Sequence, residues 1–162
     1  MTDARSASVR SFARAVLGVA LVIAGLGHLT FARHDFQAQV PDWIRIDKDV
    51  VVVVSGIVEI ALGSALLVVR RRRPLLGLAV VVLMIAVFPG NISQFVDGDD
   101  AFGLNSDRER RNRLFFQPVL VAWAWWSTGA SVLLRRSAGT RATGTTKPLS
   151  AMDHDVHPHK LV

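Results

Sequence analysis

A few side chains that could do chemistry interrupt the long apolar stretches of this 162-residue chain. They comprise a carboxyl, an imidazole, a guanidinium and several amides, groups that can hold a polar headgroup or transfer a proton inside a membrane protein. The candidate ligand-binding residues are His28, Glu59, Asn91, Gln94, Arg113 and Gln117. We predict no catalytic residue and no metal site, because the sequence contains no HExxH, GxSxG, Walker or glycine-rich dinucleotide motif. The sequence leaves open whether the chain is an enzyme.

The chain contains no cysteine. This absence excludes structural disulfides, thiolate nucleophiles, CxxC redox centres and thiolate metal sites. No cofactor is evident from the residues themselves.

Four long runs without charge, or nearly so, carry or adjoin the candidate residues. They cover residues 15–32, 50–69, 74–96 and 114–134, and Glu59 is the only charged residue within them. A run of about 18 or more apolar residues is long enough to cross a bilayer as a helix. The pattern therefore predicts an all-α integral membrane protein, a four-helix bundle over residues 15–134. The predicted spans are at about 12–32, 50–69, 74–96 and 114–134.

The candidate residues fall in one half of the predicted bundle. Counted from the loops at 33–49 and 97–113, Glu59 lies about nine residues, or roughly 14 Å, inside its span. Gly56, Glu59 and Gly63 share one helical face, since they are spaced by three and then four residues. Small residues favour close helix packing in membranes, so Glu59 is predicted to face the bundle interior.

Prolines and charges predict the local irregularities. Pro89, followed by glycine, predicts a kink or a break in the third span, and Pro118 is placed in the first turn of the fourth. The segment around Pro41 and Trp43 is predicted to lie at the interface or to cap the bundle. The mixed charges at 107–111 are typical of a solvated loop.

The distribution of basic residues predicts the topology. Residues 1–14, 70–73 and 135–162 together hold 12 Lys/Arg and 3 Asp/Glu, whereas 33–49 and 97–113 hold 7 and 9. By the positive-inside rule, both termini and the turn at 70–73 are cytoplasmic. The net charge of +6 is thus interpreted as a topology signal rather than as nucleic-acid binding, because no aromatic stacking platform accompanies the arginines.

Both termini have alternative interpretations. Residues 1–14 form a basic cytoplasmic N-terminus, although with the following run they could also be a signal peptide. The length of that run and its Gly/Ala content favour a retained helix. Residues 135–162 are predicted to be a disordered cytoplasmic tail, whose three histidines could alternatively bind a metal weakly.

Three interpretations of the intramembrane polar residues stay open. The first is an interhelical clamp, in which Glu59 bridges to Asn91, Gln117 or His28 and fixes the helix register. The second is an outward-facing pocket for a small polar or quinone-like headgroup. The third is a proton relay that uses Glu59 and His28.

Short motifs in all four runs resemble the DoxX-like family. They are Gly27-His28, Phe36, Val40-Pro41, Ser55–Ile60 with Gly63, Ala86–Ile92, and Arg113-Leu114 with Gln117. The resemblance implies a bacterial four-helix membrane protein. It also implies links to a thiosulfate:quinone oxidoreductase subunit and to complexes that handle oxidative stress, with quinone as the possible cofactor. Thiol chemistry does not carry over, because the chain lacks cysteine.

The resemblance and the residues together predict a function. We expect a multi-pass protein of the cell inner membrane that serves a redox or stress-response system and binds a small molecule or quinone in its outer half. The alternatives are a non-catalytic structural or interaction subunit, in which the polar residues only fix helix packing, and a small transporter. The expected partners are the lipid bilayer and either a membrane redox partner or a second copy of the chain, but no nucleic acid.

Overall fold

The computed structural model describes residues 2–97 and 106–133, with the backbone alone at 2, 3, 107, 110 and 113. In these residues the chain is helical and contains no strand. The helices are α1 (Thr2–Leu29), α2 (Arg33–Gln37), α3 (Lys48–Val68), α4 (Arg73–Asp97) and α5 (Asp107–Thr128). The all-α prediction is therefore confirmed. The predicted tail at 135–162 lies outside the described residues.

Three of these helices are long and apolar enough to cross a membrane. The segments are Ala4–Leu29, Lys48–Val68 and Arg73–Asp97. They are consistent with a multi-pass membrane protein. The fourth long helix, α5, is not among them, because its first two turns carry the charged sequence 107–113.

Helices α1 and α3 pack against each other with their backbones in near contact. A Cβ atom on Gly25 would lie 2.5 Å from the carbonyl oxygen of Gly56, and one on Gly63 would lie 2.6 Å from that of Gly18. Close backbone approach supplies the van der Waals contact that holds helices together in lipid, where the hydrophobic effect contributes little. Gly27, further along α1, instead faces the phenyl rings of Phe31 and Phe36.

Glycine substitutions on α1 should differ in their effect on stability according to position. Gly25→Ala is expected to destabilise the protein by about 1–3 kcal/mol, because the new methyl group meets a backbone oxygen that cannot move aside. Gly27→Ala is the matched control, since its Cβ would make only contacts of 3.3 Å or more with side chains. Thermal unfolding in detergent measures both. Equal melting temperatures for the two variants would contradict the close α1–α3 contact.

Helix α4 packs along α5, and this second pair joins the first through the core and through α1. The shared core contains Leu17, Leu21, Leu66, Val80, Val81, Met84 and Ala124. At the end of α5, Arg10 of α1 donates from Nε (3.1 Å) and Nη2 (2.8 Å) to the carbonyl oxygen of Trp126. A cation at a helix C-terminus satisfies an unpaired carbonyl and complements the helix dipole.

Two expectations for the region around the fourth span are corrected, and α1 begins well before its predicted span. Helix α1 starts at Thr2, within the predicted basic N-terminus. The charged stretch at 107–111 is helix rather than loop, because Ser106 caps it: the Ser106 hydroxyl accepts from the backbone of Glu109 and donates to its carboxylate. Pro118 consequently lies in the interior of α5 instead of its first turn. Helix α4 continues through Pro89 without a break.

Candidate functional site

A cavity of about 500 Å³ lies between the α1–α3 pair and the α4–α5 pair. Most of its wall is aliphatic or aromatic, and polar side chains enter it at a few points. The polar lining residues are His28, Gln39, Ser55, Glu59, Asn91 and Gln117. An apolar pocket with a few convergent polar groups is the usual form of a small-molecule site.

The first polar group in the wall is a pair formed by His28 of α1 and Glu59 of α3. His28 Nε2 lies 3.5 Å from Glu59 Oε2, and both residues are 7% exposed. His28 reaches this position because Gly56 has no side chain: a Cβ there would lie 2.7 Å from the His28 Cβ. Gly56, Glu59 and Gly63 are all buried on α3, as their spacing predicts.

The hydrogen bonds of the ring determine its tautomer. His28 Nδ1 lies 3.2 Å from the carbonyl oxygen of Val52 and must donate, because a carbonyl only accepts. In a neutral ring Nε2 then carries no proton. An attractive contact with Glu59 Oε2 therefore needs one more proton, held by either the imidazole or the carboxyl, and the pair is without net charge in both forms. Glu59 Oε2 is enclosed and makes no hydrogen bond in the structure, so its contact with the ring is electrostatic.

The second polar group lies on the opposite wall and joins α4 to α5. Asn91 Nδ2 donates to Gln117 Oε1 (3.2 Å), and Gln117 Nε2 donates to the carbonyl oxygen of Met84 (2.6 Å). Both side chains are buried, Gln117 with 6% of its surface exposed. Asn91 keeps an amide oxygen with acceptor capacity, and no described hydrogen bond uses it.

The third group belongs to the segment after α2, which covers one end of the cavity. Gln39 Nε2 donates to Gln94 Oε1 at 2.9 Å, and the Gln39 backbone lies against α4 at Gly90. Val40 and Pro41 of the same segment are buried and line the cavity. The segment predicted to lie at the interface or to cap the bundle thus covers the cavity.

Helix α2 is held over the site by an ion pair and a ring contact. Arg33 donates through two guanidinium nitrogens to the Asp49 carboxylate, and Gln37 Nε2 donates to Asp49 Oδ1 at 2.9 Å. The hydrogen bond with Asp49 raises the pKa of Arg33 above its usual value. Phe36 of α2 stacks on His28 with the ring centroids 3.5 Å apart. Position and orientation of the imidazole therefore depend on α2 as well as on α3.

The structure thus brings most of the candidate residues together, but not as a single network. His28, Glu59, Asn91 and Gln117 line one cavity. Gln94 lies beside it, bonded to Gln39. The Arg113 side chain lies outside the described residues. Sequence reasoning missed Gln39, Ser55 and Phe36 as site residues. Gln39 had a signal as a polar residue next to the Val40-Pro41 motif, and Phe36 and Ser55 belong to the motifs that carry the DoxX-like resemblance.

These features define a class: a helical, multi-pass membrane protein with a polar-edged cavity between two helix pairs. Residues 17–128, most of the chain, match the model of a family described as a domain of unknown function, DUF8561. The chain belongs to that family. No curated protein and no solved structure matches the chain.

Proposed function

We propose that this protein binds a small molecule with a polar headgroup and an apolar body, such as a quinone, and serves a membrane redox or stress-response system. The observation that carries the proposal is the cavity of about 500 Å³, with His28–Glu59 on one wall and Asn91 on the other. The redox or stress-response role is inferred from the resemblance to the DoxX-like family. The headgroup is inferred from the polar side chains in the cavity walls.

The walls suit a ring with carbonyl oxygens. A proton carried by His28 or Glu59 can be donated to one carbonyl, and the amide of Asn91 can bond a second polar group across the cavity. The aliphatic lining from α1 and α4, which includes Leu21 and Val87, suits the hydrocarbon part of such a molecule.

The arrangement of the polar pairs favours a pocket over a packing clamp. The His28–Glu59 contact is one of the bridges that a clamp would use, but it joins only α1 and α3. A clamp that also joined the two helix pairs would bond across the gap between them. Here Glu59 contacts His28 within the first pair, and Asn91 bonds Gln117 within the second. The cavity separates the two groups. A purely structural subunit is the second candidate, and the binding experiment below distinguishes it.

The binding experiment fills the cavity and leaves the His28–Glu59 and Asn91–Gln117 pairs in place. Ser55→Phe places a ring in the cavity, whereas Ile57→Phe on the same helix faces outward from a position that is 55% exposed. We expect binding of a short-chain benzoquinone, measured by native mass spectrometry, to weaken about tenfold or more in Ser55→Phe, a loss of about 1.4 kcal/mol or more. Ile57→Phe should bind like the wild type. No quinone binding by the wild type, or equal binding by both variants, would favour the structural subunit.

We further propose that α5 completes a four-span bundle in the inner membrane, with both termini cytoplasmic. The chain has no native cysteine, so a single introduced cysteine provides its only thiol for labelling. Arg72→Cys and Arg45→Cys place thiols at exposed positions in the two oppositely charged connections. An impermeant thiol reagent added to intact cells is expected to label position 45 and not position 72. Labelling of position 72 from outside would contradict this topology.

A further inference from the structure

A second group of charged side chains lies at the opposite end of the helices from the cavity's cover. This arginine end consists of Arg10 and Arg14 of α1 with Arg70 and Arg73 at the α3–α4 turn. Arg14 is 9% exposed, and its Nε is enclosed without a hydrogen-bond partner. The Nε of Arg73 is likewise enclosed and unbonded. Arg10 differs, since it bonds the Trp126 carbonyl.

Within the part of the chain that the structure describes, the arginine end has no acidic side chain paired with it. Arg73 and Arg70 act on Arg14 only as like charges, which repel it. Among the side chains that the structure describes, the ion pairs are His28–Glu59, Arg33–Asp49 and Lys48–Asp42, and none involves this end. Burying a guanidinium Nε–H without an acceptor is unfavourable, because the lost hydration is not replaced.

Topology alone does not account for the burial. The positive-inside rule requires cationic charge beside the membrane, and the exposed Arg71 and Arg72 already supply it. It does not require guanidinium nitrogens enclosed between helices. The hydroxyl of Ser127 is also buried and unbonded. Ser127 also lies at the arginine end, because the carbonyl oxygen of the preceding residue, Trp126, accepts a hydrogen bond from Arg10.

We propose that Arg14 and Arg73 bind a phosphate group at the arginine end. Phosphate oxygens match the guanidinium fork, and a single group can accept from both side chains while neutralising their repulsion. The end of the membrane-spanning helices is where lipid headgroups lie, and basic pockets between such helices bind anionic headgroups. An anionic phospholipid is the source that this position favours, and free phosphate is the other.

The test compares arginines that differ in burial but not in charge. Full-length protein in neutral detergent is titrated with phosphatidylglycerol, and bound lipid is counted by native mass spectrometry, with phosphatidylcholine as the zwitterionic reference. Arg14→Gln and Arg73→Gln should each weaken phosphatidylglycerol binding about tenfold or more, because each removes a charge-assisted hydrogen bond. Arg72→Gln removes the same charge from the same turn at an exposed position, and it should bind within about twofold of the wild type.

Inorganic phosphate distinguishes the two sources. If millimolar phosphate alone raises the melting temperature as much as the lipid does, and Arg14→Gln abolishes the rise, the site takes a free anion. If only the lipid does so, the site takes a headgroup. Should Arg14→Gln fail to fold, Arg14→Lys and Arg73→Gln decide the outcome, since lysine keeps the charge and loses the fork. Equal losses in Arg72→Gln and Arg73→Gln, or no effect of either ligand, would overturn the proposal.

Discussion

Replacing His28 with phenylalanine is expected to lower the free energy of unfolding by about 1–3 kcal/mol, because Glu59 then lacks its partner in a buried site. The new ring can retain the stacking on Phe36, so the substitution tests the contribution of the two imidazole nitrogens. Equilibrium unfolding in mixed detergent micelles measures the loss. His34→Phe, at an exposed position of α2, is the matched control and should be near neutral.

Substituting Glu59 as well as His28 completes a double-mutant cycle for this pair. Glu59→Leu alone should also destabilise, since it replaces the carboxyl beside His28 Nε2 with an apolar side chain. Combining both substitutions removes the polar pair as a whole, which can be nearly neutral when both groups become apolar. We expect the double variant to lose less than the sum of the single losses, by about 0.5–3 kcal/mol. Additive losses would mean that the two side chains do not interact.

Changing Gln117 to glutamate is expected to be the other severe substitution. The side chains have the same shape, but a carboxylate cannot donate to the Met84 carbonyl, which Gln117 Nε2 does at 2.6 Å. Two acceptors would then face each other in a buried position, at a cost of about 1–3 kcal/mol for each unsatisfied group and more for the charge. Thermal unfolding should show a clear drop in melting temperature. Acidification should reduce the deficit, because the protonated carboxyl can donate again.

A control substitution on α5 distinguishes the loss of the Gln117–Met84 hydrogen bond from the general effect of replacing an amide with a carboxylate. Asn112→Asp makes the equivalent change at an exposed position of α5 and should have little effect on the melting temperature. If Gln117→Glu were as stable as Asn112→Asp, the α4–α5 bridge would not contribute to stability.

Residue spacing was sufficient to predict much of the site. The Gly56–Glu59–Gly63 spacing puts all three residues on one face, and that face is buried because small residues allow the α1 backbone to approach. Asn91 and Gln117 were also predictable, since amides within apolar runs need partners inside the protein. These inferences depend on helical periodicity alone, which sequence carries directly.

The pairing of the polar groups was less predictable. Gln117 bonds a backbone carbonyl, that of Met84, and carbonyls carry no sequence signal. The contact between Gln39 and Gln94 depends on how the segment after α2 folds over the cavity, across 55 residues of chain. The start of α5 was misplaced because its charges suggested a loop, although the Ser106–Glu109 capping box was present in the sequence.

The most direct test of the proposed binding cavity is photolabelling of the full-length protein in membranes with a diazirine-bearing benzoquinone, followed by peptide mapping. We expect cross-links on cavity residues of both helix pairs, such as Leu21 and Trp123, and their loss in Ser55→Phe. An apolar groove between α4 and α5 adjoins the cavity, and its lining includes Ile85, Phe88 and Trp125, which do not line the cavity. Cross-links confined to these three residues, or unchanged by Ser55→Phe, would contradict binding in the cavity.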